Sequence, residues 1–390
     1  MKNIFLFLYL TSVMALTAQN HKMVERPSFF KSELDGITEN RIISALDSLY
    51  DDMSDFNLSD QYLTNELKEL TSSALRRYLI SPLKRKKLRP EDCSYQLINL
   101  YGLGESRFFT SVSIIDKNSS ELNYIIDLVA TIKDENITFS SPLNYYTRFW
   151  KTHSVGNLTY HFRDTIDLNR AKIFDNKNNQ IASNLGLSPE SFDFYMCYNE
   201  QEVLKLMGIA YSSDRNGQTR NGFGVSQNVI CSIVNNEDFS HDVFHYYSGK
   251  INKREDRNWI TEEGIAYLWG NAYYTDKRGE MITHTRLINE LNNYLIANPD
   301  IGLFQLFEKN TKIFVDIAPE ISVQSTISGI IAQEVENRRG MEGILKLINA
   351  GSKERLKSYL QATDELIGIN KKNFNSKVRK LIKKTKNIAQ

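Results

Sequence analysis

The sequence predicts an α+β protein in which a small α+β domain precedes a larger unit with a mixed sheet and a helical second half. Three observations carry that expectation. Apolar runs at 94–101, 108–115 and 124–132 are separated by turn residues, the pattern of strands. Between 157 and 234, strand-like runs at 157–162, 192–198 and 227–234 alternate with helical spacing at 167–185 and 199–208. Beyond Tyr274, the segments 283–297, 302–308, 321–339, 341–350 and 353–366 all read as helices. The implied layout is an amino-terminal domain over 19–150, a second domain over 154–382 and a basic tail over 383–390.

The chain opens with Met1-Lys2-Asn3 and the apolar run from Ile4 to Leu10, with small residues Ala15 and Ala18 behind it. That order reads as a secretory signal peptide over residues 1–18, cleaved before Gln19. The run is shorter than the roughly 18 apolar residues of a membrane span, and no cysteine stands near the cleavage point to take a lipid. The expectation is therefore export to a periplasmic or extracellular space, in a bacterium. Residues 20–40 read as a polar linker. Ile42, Ile43, Leu46, Leu49 and Tyr50 then recur at helical spacing, and the basic run Lys84-Arg85-Lys86-Lys87 reads as a solvated face. No chemistry attaches to the amino-terminal domain.

Composition removes some classes of function. Lys plus Arg number 48 against 47 Asp plus Glu, so no bulk charge points to nucleic acid. Cys93, Cys197 and Cys231 are odd in number and far apart, without zinc-knuckle or redox spacing. They read as buried thiols, with room for one disulfide in an oxidising compartment.

The chemistry concentrates in Ser240-His241-Asp242-Val243-Phe244-His245-Tyr246-Tyr247 and Trp259-Ile260-Thr261-Glu262-Glu263-Gly264-Ile265-Ala266-Tyr267. Histidines four apart on a helix share a face, one turn from each other, and both can reach one metal ion. A carboxylate from the first turn of a second helix, starting near Thr261, can supply a third ligand. Three protein ligands with one position left for water outline a catalytic zinc site.

At these residues the chain resembles the gluzincin branch of the zinc metallopeptidases, with its H-E-x-x-H helix and a W-x-x-E-G-x-A segment on the next. The resemblance makes His241, His245 and Glu263 the zinc ligands, with Glu263 falling 263 − 245 = 18 positions after the second histidine. Trp259, Gly264 and Ala266 fit the segment, Trp259 one residue further from its glutamate than is common. Glu262 rivals Glu263 for the third position, since consecutive helical residues point about 100° apart and only one faces the ion. The family's general-base glutamate is here Asp242, one methylene shorter. The strand before the zinc helix is in this family a sheet edge that holds an extended substrate, which places that edge within 225–234. The stretches 325–331 and 340–347 resemble the family's helical half.

The resemblance implies hydrolysis of peptide bonds in a peptide or protein substrate by zinc-activated water, with Asp242 as base. Two other readings compete. One is a peptidase-like binding protein without catalysis. The other is a metal phosphohydrolase of the HD type, with His241 and Asp242 as ligands; it lacks the upstream histidine that such a site needs and leaves the Glu-Gly segment unexplained. Tyr246, Tyr247, Tyr267, Tyr273, Tyr274 and His284 are candidates for stabilising an oxyanion, whereas His153 and His161 read as structural or surface residues. The basic end, including Lys377, Arg379, Lys380, Lys383 and Lys384, reads as an amphipathic helix, with weak contact to an acidic surface as its sharper use.

Overall fold

The computed structural model describes residues 23–53, 56–215, 224–226, 228–233, 236–276 and 278–388. The leader-like residues 1–18 lie outside that set. The chain divides into two compact units, residues 1–148 with 204–218, and residues 149–203 with 219–390. Both helix and strand are abundant in mixed sheets, which makes the protein α+β.

In the first unit, strand β1 (Val24–Glu25) leads into helix α1 (Gly36–Asp52), whose start is capped by the Asp35 carboxylate accepting from the Ile37 and Thr38 amides. Helices α2 (Lys68–Leu75) and α3 (Ser81–Lys86) follow, then strands β2 (Cys93–Gly104), β3 (Arg107–Asp116), β4 (Leu122–Lys133) and β5 (Asn136–Ser140) and the short helix α4 (Leu143–Thr147). The sheet runs β1-β2-β3-β4-β5, antiparallel except for β1 beside β2. Ile42, Leu46, Leu49 and Tyr50 are buried on one face of α1, as their spacing predicts. The linker expected over 20–40 is partly anchored: Val24 is buried, joins β2 and donates its amide to Asp47 Oδ1 at 2.7 Å. Residues 204–218, assigned by sequence to the second unit, cluster with the first because strand β9 (Ile209–Ser212) pairs with β4.

The second unit begins with strands β6 (Lys151–Val155) and β7 (Leu158–Phe162), helix α5 (Leu168–Asn184) and strand β8 (Phe192–Cys197). Helix α6 (Glu200–Leu206) carries the chain out of this unit, and strands β10 (Gly224–Ser226) and β11 (Val229–Ile233) return to it. The sheet order is β10-β11-β8-β7-β6: three parallel central strands with an antiparallel strand on each flank. The strand directly before the histidine helix is thus not an edge. β11 lies between β10 and β8, and among the described strands the edge on that side of the sheet is β10, which overlaps the start of the interval 225–234.

Helices α7 (Ser240–Ile251) and α8 (Trp259–Trp269) come next, then strands β12 (Tyr273–Thr275) and β13 (Met281–Ile282). The helical half comprises α9 (His284–Ala297), α10 (Leu303–Lys309), α11 (Val323–Ile348), α12 (Arg355–Ile367) and α13 (Phe374–Ile388). The two helices expected over 321–339 and 341–350 follow each other directly within α11 and are broken at Gly340, as expected. Gly340 alone leaves helical geometry there, at φ +60°, a conformation open to glycine at little cost.

One hydrophobic core joins these layers: Tyr160, Phe194 and Ile230 from the sheet meet Val243, Phe244 and Tyr247 of α7 and Ile327, Ile330 and Ile331 of α11. The basic tail expected over 383–390 is not a separate segment, because α13 runs to Ile388. Phe374, Val378 and Ile382, four apart, are buried in the core, each contributing about 2 kcal/mol of apolar burial. No described helix is long and apolar enough to cross a membrane. All three cysteines are buried free thiols, and burial pushes Cys93 and Cys231 up to about 12.

Candidate metal centre

Helix α7 is built with two faces. Val243, Phe244 and Tyr247 enter the core, which leaves His241 and His245 together on the half-buried side. Helix α8 starts at Trp259, two residues before the expected Thr261, because Asn258 caps it by accepting from the Ile260 and Thr261 amides. Between Ile260 and Tyr267 every residue of α8 is buried except Glu263.

His241, His245 and Glu263 each offer a ligand atom within 4.8 Å of the others, and among the described residues no other group of acids, histidines or cysteines converges so. His241 Nε2 lies 3.6 Å from Glu263 Oε2, and His245 Nε2 lies 3.2 Å from Glu263 Oε1. Ligands held at about 2.0–2.1 Å in a tetrahedral shell stand about 3.3 Å apart, so the spacing suits a metal ion. Both ring nitrogens of His245 are shut off from solvent without an aligned hydrogen-bond partner, the 3.2 Å approach to Glu263 lacking hydrogen-bond geometry. An imidazole buried this way costs free energy unless something satisfies it. A cation among the three side chains would satisfy Nε2, the ring nitrogen turned toward Glu263.

The surroundings aim the ligands. His241 Nδ1–H donates to the Asn271 carbonyl at 3.1 Å, which leaves Nε2 as the lone pair turned toward Glu263. The Trp259 indole stacks flat on the His245 ring, centroids 5.5 Å apart and planes 8° from parallel. Gly264 lets α8 lie against α11: a Cβ there would stand 2.8 Å from the Gly329 amide and 2.6 Å from the Ser328 Cβ. The glycine beside the acid therefore has a packing role, since it allows the close crossing that sets the depth of Glu263.

Among the protein groups alone, burial raises the Glu263 carboxyl, but contact with His245 and the charges of both histidines outweigh burial and hold it below the ordinary range. Burial lowers His245, and Glu263 with Asp242 and Glu262 more than reverse this.

The rivalry between the two acids resolves by direction. Glu262 is 2% exposed and turns away: its Oε1 accepts from Ser248 Oγ at 2.5 Å and from Arg257 Nη1 at 3.2 Å. Asp242 is half-buried in the first turn of α7, where the helix dipole favours an acid, and close enough for its charge to act on His245. It is not a member of the convergent group, which pairs His241 with His245 and not with Asp242.

Of the oxyanion candidates, Tyr246 OH donates to Glu190 Oε2 at 2.6 Å and Tyr247 OH to Asn178 Oδ1 at 2.8 Å. Tyr267 is buried, with its ring 5.7 Å from His241 and its hydroxyl accepting from the Ser322 amide. His284 is buried and donates from Nε2 to the Thr326 carbonyl, and burial pushes it down to about 4. These four hold structure. The side chains of Tyr273 and Tyr274 lie outside the described residues. His161 bonds Asp193 and stacks on Tyr195, and His153 is exposed on β6.

Sequence reasoning missed Asn271, which accepts from His241, and Asp238 and Lys177, which bond Asn271 and the first residue of α7. Asp238, two residues before Ser240, carries a local capping signal, whereas nothing near Lys177 announces its role. No protein-family model matches the chain, and no curated protein does either.

Proposed function

We propose that the second unit is a gluzincin-like zinc peptidase domain of an exported protein, which hydrolyses peptide bonds in a peptide or protein substrate. The observation that carries the reading is the convergence of His241 Nε2, His245 Nε2 and a Glu263 carboxylate flanked by helices with this sequence pattern. Two imidazoles and one carboxylate are a donor set typical of catalytic zinc. Held there, zinc would supply Lewis acidity, polarising a scissile carbonyl and making water acidic enough to attack near neutral pH.

The chain's own groups supply the rest. The outer backbone of β10, at the sheet edge and in contact with α7, offers amides and carbonyls to an extended substrate. Asp242 takes a proton from the attacking water and returns it to the departing amine. Its carboxylate is one methylene short of the usual base, and general-base catalysis contributes typically 10²–10⁴-fold. The reading therefore includes a slow enzyme. Loss of that term altogether would leave a peptide-binding domain, which the same side chain favours as the second reading.

The test is zinc content and peptide hydrolysis by residues 19–390. About one zinc per chain is expected, lost in His245→Ala and kept in Asp242→Ala. Asp242→Glu should raise hydrolysis at least about tenfold. Zinc with no hydrolysis in parent or Asp242→Glu would select the binding protein. No zinc in any variant would end the metal reading, and zinc lost in Asp242→Ala but kept in His245→Ala would select the phosphohydrolase ligands.

A further inference from the structure

Under the amino terminus of α7 lies a buried polar cluster that the three-ligand motif does not include. Lys177 of α5 extends its ammonium to four acceptors: Asn271 Oδ1 at 2.7 Å, Asp238 Oδ2 at 3.0 Å, the Gly270 carbonyl at 3.1 Å and Ser240 Oγ at 3.4 Å. Asn271 Nδ2 donates to the same Asp238 oxygen at 2.6 Å. The other Asp238 oxygen accepts from the Ser240 amide at 2.9 Å, at the first residue of α7. The Asp238 side chain is fully buried, and that of Lys177 is 20% exposed.

This cluster grips both things that aim His241. One is the first turn of α7, through Ser240. The other is residue 271, whose carbonyl receives the His241 Nδ1 proton. An imidazole presents Nε2 as a ligand only while Nδ1 keeps its proton, and the acceptor facing Nδ1 decides that. A displaced Asn271 would release both the tautomer and the ring plane.

We propose that Lys177, acting through Asp238 and Asn271, is the positioning residue that holds His241 in its metal-binding tautomer and direction. The proposal rests on the metal reading above and deepens it. A purely structural ion pair would instead affect folding alone, and the same helix provides that comparison. Arg170, two turns before Lys177, pairs with Glu237 at 3.2 Å, one residue from Asp238 but outside the contacts to Ser240 and Asn271.

The experiment titrates zinc and cobalt(II) into parent, Lys177→Met, Asn271→Ala and Arg170→Met proteins, and records the cobalt visible spectrum and the Tm without metal. Orienting partners of ligand histidines are worth about 10–100-fold in metal affinity. Lys177→Met and Asn271→Ala should lose that much and shift the cobalt bands, while Arg170→Met lowers Tm but binds as the parent does. Parent-like affinity and spectrum in Lys177→Met and Asn271→Ala would overturn the proposal and leave the metal centre standing, as would an equal loss in Arg170→Met. Should Lys177→Met fail to fold, Asn271→Ala decides alone. A parent that binds neither metal would remove the metal reading itself, and the proposal with it.

Discussion

Each unit buries acid groups, and the two solve the problem differently. In the first, Asp127 is 5% exposed and receives Ser111 Oγ and Tyr146 OH, both at 2.7 Å. Hydroxyl donors satisfy the carboxylate, and nothing is left over for a ligand. In the second, Glu263 faces two imidazoles, and His245 keeps both ring nitrogens buried without an aligned partner. The contrast recurs one residue apart on α8, where Glu262 is closed by Ser248 and Arg257 while Glu263 is not. Burial of a charge is thus not what marks a site. Convergence of lone pairs without protons between them is the better mark.

The largest test exchanges the two neighbouring acids. Glu263→Ala should abolish metal binding while leaving a folded protein, as followed by zinc titration and circular dichroism. Glu262→Ala should retain metal but lose about 3 kcal/mol in urea unfolding, because the half-buried Arg257 is left without its partner. Similar outcomes in the two variants would dissolve the distinction between site acid and structural acid.

The second test uses a histidine with no metal role. The folded pKa of His284 is about 4, below its unperturbed 6.5, so between those values the unfolded chain binds more protons. Its contribution to stability is complete above about pH 6.5 and is lost as pH falls toward 4, by about 3 kcal/mol at 1.36 kcal/mol per unit. His284→Gln should flatten the stability profile across that window. An unchanged slope would show that His284 is not the buried neutral group described here.

The smallest expected effect is that of Asp127→Asn. It leaves one hydroxyl facing an amide donor and should cost about 1–2 kcal/mol, with zinc affinity equal to the parent's. A change in metal binding would show that the first unit's buried acid is not confined to structure.

Local rules made a good deal of this protein legible. The spacing of Ile42, Leu46 and Leu49 located α1, apolar runs between turn residues located β2 to β4, and the i, i+4 pair His241 and His245 lay on one helix face because the core claims the other. Other features were invisible locally for a physical reason. The resemblance favoured Glu263 over Glu262, but the closure of Glu262 by Ser248 and Arg257, and the Gly264 crossing with α11 more than sixty residues away in sequence, showed only in the fold. β11 became an inner strand only when β10 folded back beside it, and residues 209–212 joined the first sheet through a pairing with β4. Lys177 reaches Asp238 and Asn271 across sixty and more positions, linked by burial and hydrogen bonds rather than by any period. Sequence alone determined which side chains share a helix face, since that depends on backbone geometry over one turn. Tertiary structure decided which of them face each other and what aims them, because separate elements meet only where the shared core brings them together.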